Sequence, residues 1–204
     1  MNFIALYLLF VIVGLLACSG NSPEKREFTA LVFQQDSLPP RCTFEGELLG
    51  GARWTDANGE NILLISQNFK TGVDAGVQEI FGYSYTLDSG KCRLVWTWHD
   101  DIENVCDIGE GLVSSIETED VDGDGFGESA FIYNIEGACD VSPRLFTLVF
   151  HSGNGMTLTM KGTKKVQVDD HTILGGEIQA DSTFGSAPAE YGDFCTALWQ
   201  KTFE

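Results

Sequence analysis

From Phe28 onward the chain is cut into short apolar, β-branched runs by clusters of Gly, Asn, Asp and Ser, and this rhythm constrains the fold more than any other feature. Runs of roughly four to eight residues between turn-formers are strand signatures, because a helix needs a longer segment and an apolar period near 3.6. The runs are Phe28 to Phe33, Asn61 to Ser66, Glu79 to Leu87, Cys92 to His99, Val113 to Thr118, Ser129 to Ile135, Leu145 to His151, Met156 to Lys161 and Lys164 to Val168. The connections Asp88-Ser-Gly-Lys91 and Ser152-Gly-Asn-Gly155 are hairpin-sized and rich in residues that tolerate positive φ. The expected fold is mainly β: a single antiparallel meander or sandwich-like domain over 28–204, with about nine to ten strands. Only the tail, Tyr191 to Phe203, has helical spacing. There Phe194, Ala197, Leu198 and Lys201 share a face, with Asp193 in the first turn and Lys201 in the last, which predicts one C-terminal helix. Gly59-Glu-Asn-Ile-Leu-Leu64 and Gly127-Glu-Ser-Ala-Phe-Ile132 echo one another, each a turn entering a strand after an Asp-bearing loop. Two copies fall short of a propeller or solenoid.

The N-terminus is different. Phe3 to Ala17 are fifteen consecutive apolar or small residues, shorter than the roughly 20 that a spanning helix needs and matched to an export signal. The run ends in Leu15-Leu16-Ala17-Cys18, which resembles the bacterial lipobox. That resemblance implies a signal peptide over 1–17 and lipidation of Cys18, with buried acyl chains contributing about 0.8 kcal/mol per methylene to membrane anchoring. Residues 18–27 have the polar composition of a lipidated tether. Ser19 after the cysteine is no enterobacterial-type retention signal, so the expectation is a cell-envelope lipoprotein of the outer membrane, on its periplasmic or surface face.

Charge narrows the partners. With 12 basic against 30 acidic residues the net charge is −18, which argues against nucleic acid and anionic headgroups and suits divalent cations. Cys42, Cys92, Cys106, Cys139 and Cys195 show no C-x-x-C, so neither a zinc ribbon nor a thioredoxin motif is offered. Disulfides in an oxidising compartment fit better: at most two internal bridges and one spare thiol, with a local Cys92–Cys106 bridge expected.

The strongest chemical motif is Asp120-Val-Asp122-Gly-Asp124-Gly125-Phe126-Gly-Glu128, directly before an apolar strand. Side-chain oxygens at the first, third and fifth positions converge in a tight coil, Gly125 permits the coil, and the Phe126 carbonyl and Glu128 carboxylate stand where calcium loops place further ligands. The bidentate glutamate of an EF-hand is missing, since Phe131 holds that position. Asp-Gly pairs are also plain turn-formers, but four carboxylates in nine residues repel one another without an ion. A second acidic cluster, His99-Asp100-Asp101-Ile102-Glu103 with Asp107 beyond, follows Trp96-Thr-Trp98 and matches no ligand spacing, so a solvated hairpin end is the simpler account. Its alternative is a glycan hydrolase using paired carboxylates there. His151 and His171 are isolated and read as structural or exposed. No nucleophile elbow, phosphate loop, H-E-x-x-H or dinucleotide fingerprint occurs, and no catalytic residue is assigned. Trp54, Trp96, Trp98, Tyr83 and Tyr85 could stack on sugar rings, although Leu94, Trp96 and Trp98 share a face by period two, which favours burial.

Trp54-Thr-Asp-Ala-Asn-Gly-Glu-Asn, Ile80-Phe-Gly-Tyr-Ser-Tyr, Cys106-Asp-Ile, the Asp120 to Glu128 loop and Cys139-Asp-Val-Ser-Pro-Arg-Leu follow in that order. Together they resemble a family of small envelope lipoproteins of Bacteroidota labelled surface polysaccharide biosynthesis proteins, over about Ala52 to Lys165. The resemblance implies a process, surface polysaccharide biosynthesis or display, and transfers no catalytic residue. A structural or adhesive lipoprotein that binds another envelope protein is the other expectation.

Overall fold

The computed structural model describes Leu38 and residues 41–71, 76–104, 112–134 and 143–203. The signal segment 1–17, Cys18, the tether 18–27, the expected strand Phe28 to Phe33, Cys106, Asp107 and Cys139 lie outside the described residues.

The chain builds two antiparallel sheets. β1 (Glu47–Asp56), β2 (Gly59–Thr71), β3 (Gly76–Asp88) and β4 (Lys91–Asn104) form a four-stranded meander in chain order. β5 (Leu112–Glu119), β6 (Glu128–Asn134), β7 (Leu145–His151) and β8 (Thr157–Thr163) form a second meander. β9 (Val166–Gln167) and β10 (Ile173–Leu174) pair as a separate ribbon, β11 (Ile178–Ala180) joins the edge of β8, and α1 (Ala189–Phe203) closes the described chain. The mainly β, sandwich-like fold with one C-terminal helix is thus as the periodicity predicts, and both expected hairpins are present.

Strand alternation explains the layers. The inner faces meet in one core: Ala52, Trp54, Leu63, Ile65 and Ile80 from the first sheet against Phe131, Tyr133 and Val149 from the second. The intervening residues point outward and are apolar too. Ile62, Leu64 and Tyr85 lie under a strap that includes Cys42 and Phe44, where the Tyr85 hydroxyl donates to the Thr43 carbonyl. Ala130, Ile132, Leu148, Phe150 and Leu158 lie under α1. Strands β2 and β6, covered on both faces, therefore read as continuous apolar runs, Ile62 to Ile65 and Ala130 to Tyr133, without polar alternation. Each fully buried Leu, Ile or Phe contributes about 1.5 to 3 kcal/mol of burial. Among the described residues no helix is long and apolar enough to cross a membrane.

Four details depart from expectation. β1 has no counterpart among the predicted runs because Gly50-Gly51 reads as a breaker; in the fold a bulge falls there, and a Cβ on Gly50 would stand 3.1 Å from Ile116 Cδ1 of β5. The α1 face is turned from the one predicted: Tyr191, Cys195, Leu198 and Trp199 are buried, Ala197 and Lys201 are exposed, and Glu190 is the acid of the first turn. The large rings of Tyr191 and Trp199 win the interior because they remove more apolar area than Ala197. Leu94 leaves the face of Trp96 and Trp98, since a register shift between Ser84 and Tyr85 inserts Val95 and leaves Leu94 49% exposed. Finally, Cys92 is bridged to Cys42, not Cys106. β4 carries the chain about 40 Å from Cys92 to Asn104, while the strap crosses the sheet beside Cys92, with 5.1 Å between the two Cα atoms. Cys195 is free and buried, and burial pushes its thiol up to about 12.

Two substitutions test this architecture. A Cβ on Gly162 would meet the Glu177 carbonyl oxygen at 2.5 Å and Trp199 Cζ2 at 2.7 Å. Gly162→Ala is expected to cost about 2 to 3 kcal/mol in urea unfolding, as overpacking does in a dense interior. Cys42→Ser opens a bridge between residues 50 apart and is expected to cost about 4 kcal/mol by the chain-entropy argument, whereas Cys195→Ser leaves the disulfide intact.

Candidate metal centre

The β5–β6 connection is the acidic loop. Gly123 and Gly125 both sit at positive φ, 76° and 89°, which lets the backbone coil so that alternate aspartates turn to the same side. One carboxylate oxygen from each of Asp120, Asp122 and Asp124 lies within 4.8 Å of the others. The aspartates also organise the loop's own amides. Gly125 N donates to Asp120 Oδ2 at 3.2 Å, Asp124 N to Asp122 Oδ1 at 3.1 Å and Phe126 N to Asp124 Oδ1 at 2.8 Å. Asp120 Oδ1 remains, enclosed and without a hydrogen-bond partner. A buried carboxylate oxygen left in that state carries a desolvation cost that a cation would offset.

Glu128 stands apart from this triad. It is fully buried at the head of β6, and it accepts from Val121 N at 2.8 Å on Oε2 and from Gly153 N at 3.1 Å on Oε1. Its carboxylate clamps the acidic loop to the β7–β8 turn. Burial pushes its pKa up to about 7, the two backbone donors pull it back, and the charges of Asp122 and Asp124 push it up further. Phe126 packs on the same turn, so closely that a Cβ on Gly153 would stand 2.5 Å from Phe126 Cβ.

Three elements therefore converge on nine residues. From α1, the Tyr191 hydroxyl donates to Asp122 Oδ2 at 2.7 Å, and burial with the nearby carboxylates raises its pKa. From the first sheet, Asp56 Oδ2 accepts Gly127 N at 3.0 Å. Sequence reasoning missed both Tyr191 and Asp56. The one signal was the echo between the Gly59 and Gly127 segments, whose loops prove to be neighbours, Ala57 N donating to Gly125 O at 2.8 Å.

The second acidic cluster is pulled apart by strand alternation. Asp100 faces inward and accepts the Tyr133 hydroxyl at 2.6 Å, which in turn accepts Trp98 Nε1 at 3.2 Å. Asp101 falls on the opposite face, so the two make no paired acid and base. His99 is outward, stacked on Phe81 at 4.8 Å with Nε2 3.4 Å from Glu79. The hydrogen bond from Lys70 Nζ at 2.7 Å holds that glutamate below its ordinary range. His171 is exposed. The aromatic residues are mostly interior: Trp54 and Tyr85 are buried, Trp96 and Trp98 are half-buried between the sheets, and half-buried Tyr83 accepts Glu45 N.

Fold and site together define a class: a two-sheet antiparallel β sandwich, strapped on one face and helix-covered on the other, with a cation-competent acidic loop at one end. No family model matches the chain, and no curated protein or solved structure matches it.

His151 yields a pH prediction near this end. It is stacked on Trp96 at 4.4 Å, and burial lowers its pKa from 6.5 to about 4, against a backbone contact with Met156 that raises it. Because the folded value lies below the unfolded one, its stabilising contribution is complete above pH 6.5 and is lost as pH falls toward 4. The loss is about 3 kcal/mol, at 1.36 kcal/mol per pKa unit. The difference in urea-unfolding free energy between the natural chain and His151→Gln should therefore shift by about that amount across the interval; a constant difference would contradict it.

Proposed function

We propose that this protein is a calcium-stiffened, non-catalytic binding module of the bacterial envelope, anchored by lipid at Cys18 and serving surface polysaccharide biosynthesis or display. The observation that carries the cation is the enclosed, unpartnered Asp120 Oδ1 beside the carboxylates of Asp122 and Asp124. An all-oxygen carboxylate set suits a hard cation, and an irregular, half-exposed loop suits calcium's tolerant coordination better than magnesium's octahedron. The Phe126 carbonyl and water would complete the shell, and the expected affinity is that of extracellular modules, on the order of 10⁻⁴ to 10⁻³ M. The export segment and lipobox support the envelope, and the ordered motifs from Trp54 to Leu145 support the polysaccharide process.

A second reading, an adhesive lipoprotein that binds another envelope protein, draws on the β9–β10 ribbon, where Val166, Val168, Ile173 and Leu174 are all exposed.

Calcium at about ten times its dissociation constant should stabilise the natural chain by about 1.4 kcal/mol, a Tm rise of about 3 to 5 °C over chelator. The double variant Asp122→Ala, Asp124→Ala should show no calcium-dependent rise. Differential scanning fluorimetry reads both, and an equal rise in the two proteins would refute the ion.

A further inference from the structure

The acidic loop is held from the opposite sheet by a single turn. Asp56, the last residue of β1, is 5% exposed and accepts from one indole and two backbone amides. Its Oδ2 accepts Trp54 Nε1 at 3.1 Å and Gly127 N at 3.0 Å, and its Oδ1 accepts Asn58 N at 2.8 Å. Trp54 belongs to the inter-sheet core, so this carboxylate is anchored to a close-packed part of the molecule. One residue on, Ala57 N donates to Gly125 O at 2.8 Å. The amides of Asp124, Gly125 and Phe126 are taken by the loop's own aspartates and that of Val121 by Glu128, whereas the amide of Gly127 is taken by the other sheet.

We propose that Asp56 is the positioning residue of the cation loop: it fixes Gly127 and, through the turn it caps, Gly125, in the coil that brings Asp120, Asp122 and Asp124 together. This rests on the cation reading above. Asp56 lies 71 residues before Gly127 and does not belong to the converging triad, so its contribution is pre-organisation. A loop already coiled binds its ion without first losing conformational freedom. By linkage the effect is reciprocal: an ion in the loop must strengthen the docking of the β1–β2 turn on the second sheet.

Two variants separate this role from general support. Asp56→Asn keeps the size but turns one acceptor oxygen into an NH₂ donor, so either the Asn58 N–H or both the Trp54 and Gly127 N–H groups lose their acceptor and the turn is no longer held on both sides. Ala57→Pro is milder. Ala57 and Asn58 make a two-residue turn closed by Gly59 at φ 103°, and the first turn position after an extended residue accepts proline. That change deletes only the Ala57 N–H to Gly125 O and keeps the triad and the turn. Calcium titration of the full chain by calorimetry should give a dissociation constant about tenfold weaker for Asp56→Asn and several-fold weaker for Ala57→Pro. Hydrogen exchange at the Ala57 amide, which lies on the sheet without the acidic loop, should slow when calcium is added to the natural chain. A merely structural Asp56 would lower Tm in chelator and leave the dissociation constant and the calcium effect at Ala57 unchanged. If Asp56→Asn fails to fold, the proline variant and the exchange measurement decide. Calcium binding within twofold of the natural chain in every folded variant, with no slowing at Ala57, overturns the positioning role while the cation reading stands; no calcium binding by the natural chain at all overturns both.

Discussion

The structure depends on a covering requirement. β2 and β6 are apolar on both faces, so stacking the two sheets satisfies only half of their surface, and the outer faces must be closed by something else. The chain closes one with a strap around Cys42 and Phe44 and the other with α1. The disulfide and the Tyr85–Thr43 hydrogen bond hold the strap against the outer face of the first sheet. The helix needs no covalent help, because Tyr191, Leu198 and Trp199 together remove several hundred Å² of ring and aliphatic surface from water.

The same layering creates the loop's environment. A nine-residue stretch with four acids, Asp120 to Glu128, would normally splay into solvent. Here Glu128 fastens it to the β7–β8 turn, Tyr191 approaches from the helix and Asp56 from the opposite sheet, so its negative charges are confined instead of dispersed. Confinement raises the Glu128 pKa and leaves Asp120 Oδ1 without a partner, two consequences of one cause.

Legibility in the sequence followed the physics of each element. The strands from Asn61 to Lys161 stood out because apolar runs between turn-formers are a local property, and the acidic loop stood out because its ligand spacing is local too. β1 did not, since Gly50-Gly51 reads locally as a breaker, while the reason for a glycine at 50, the close approach of Ile116, comes from another sheet. The helix face and the position of Leu94 were misjudged because a period says which residues align and not which of two aligned faces a neighbour will cover, and because a bulge resets the alternation.

By itself the sequence determined the antiparallel β character, the two hairpins, the terminal helix and the coil at Asp120 to Asp124, all of which arise from contacts among residues near in the chain. Only the tertiary structure decided that Cys92 finds Cys42, that the carboxylates of Asp100 and Asp101 part to opposite faces, and that Asp56 and Tyr191 close around the acidic loop. Those outcomes depend on register between strands and on which faces are buried together, and neither is encoded in the spacing of any one segment.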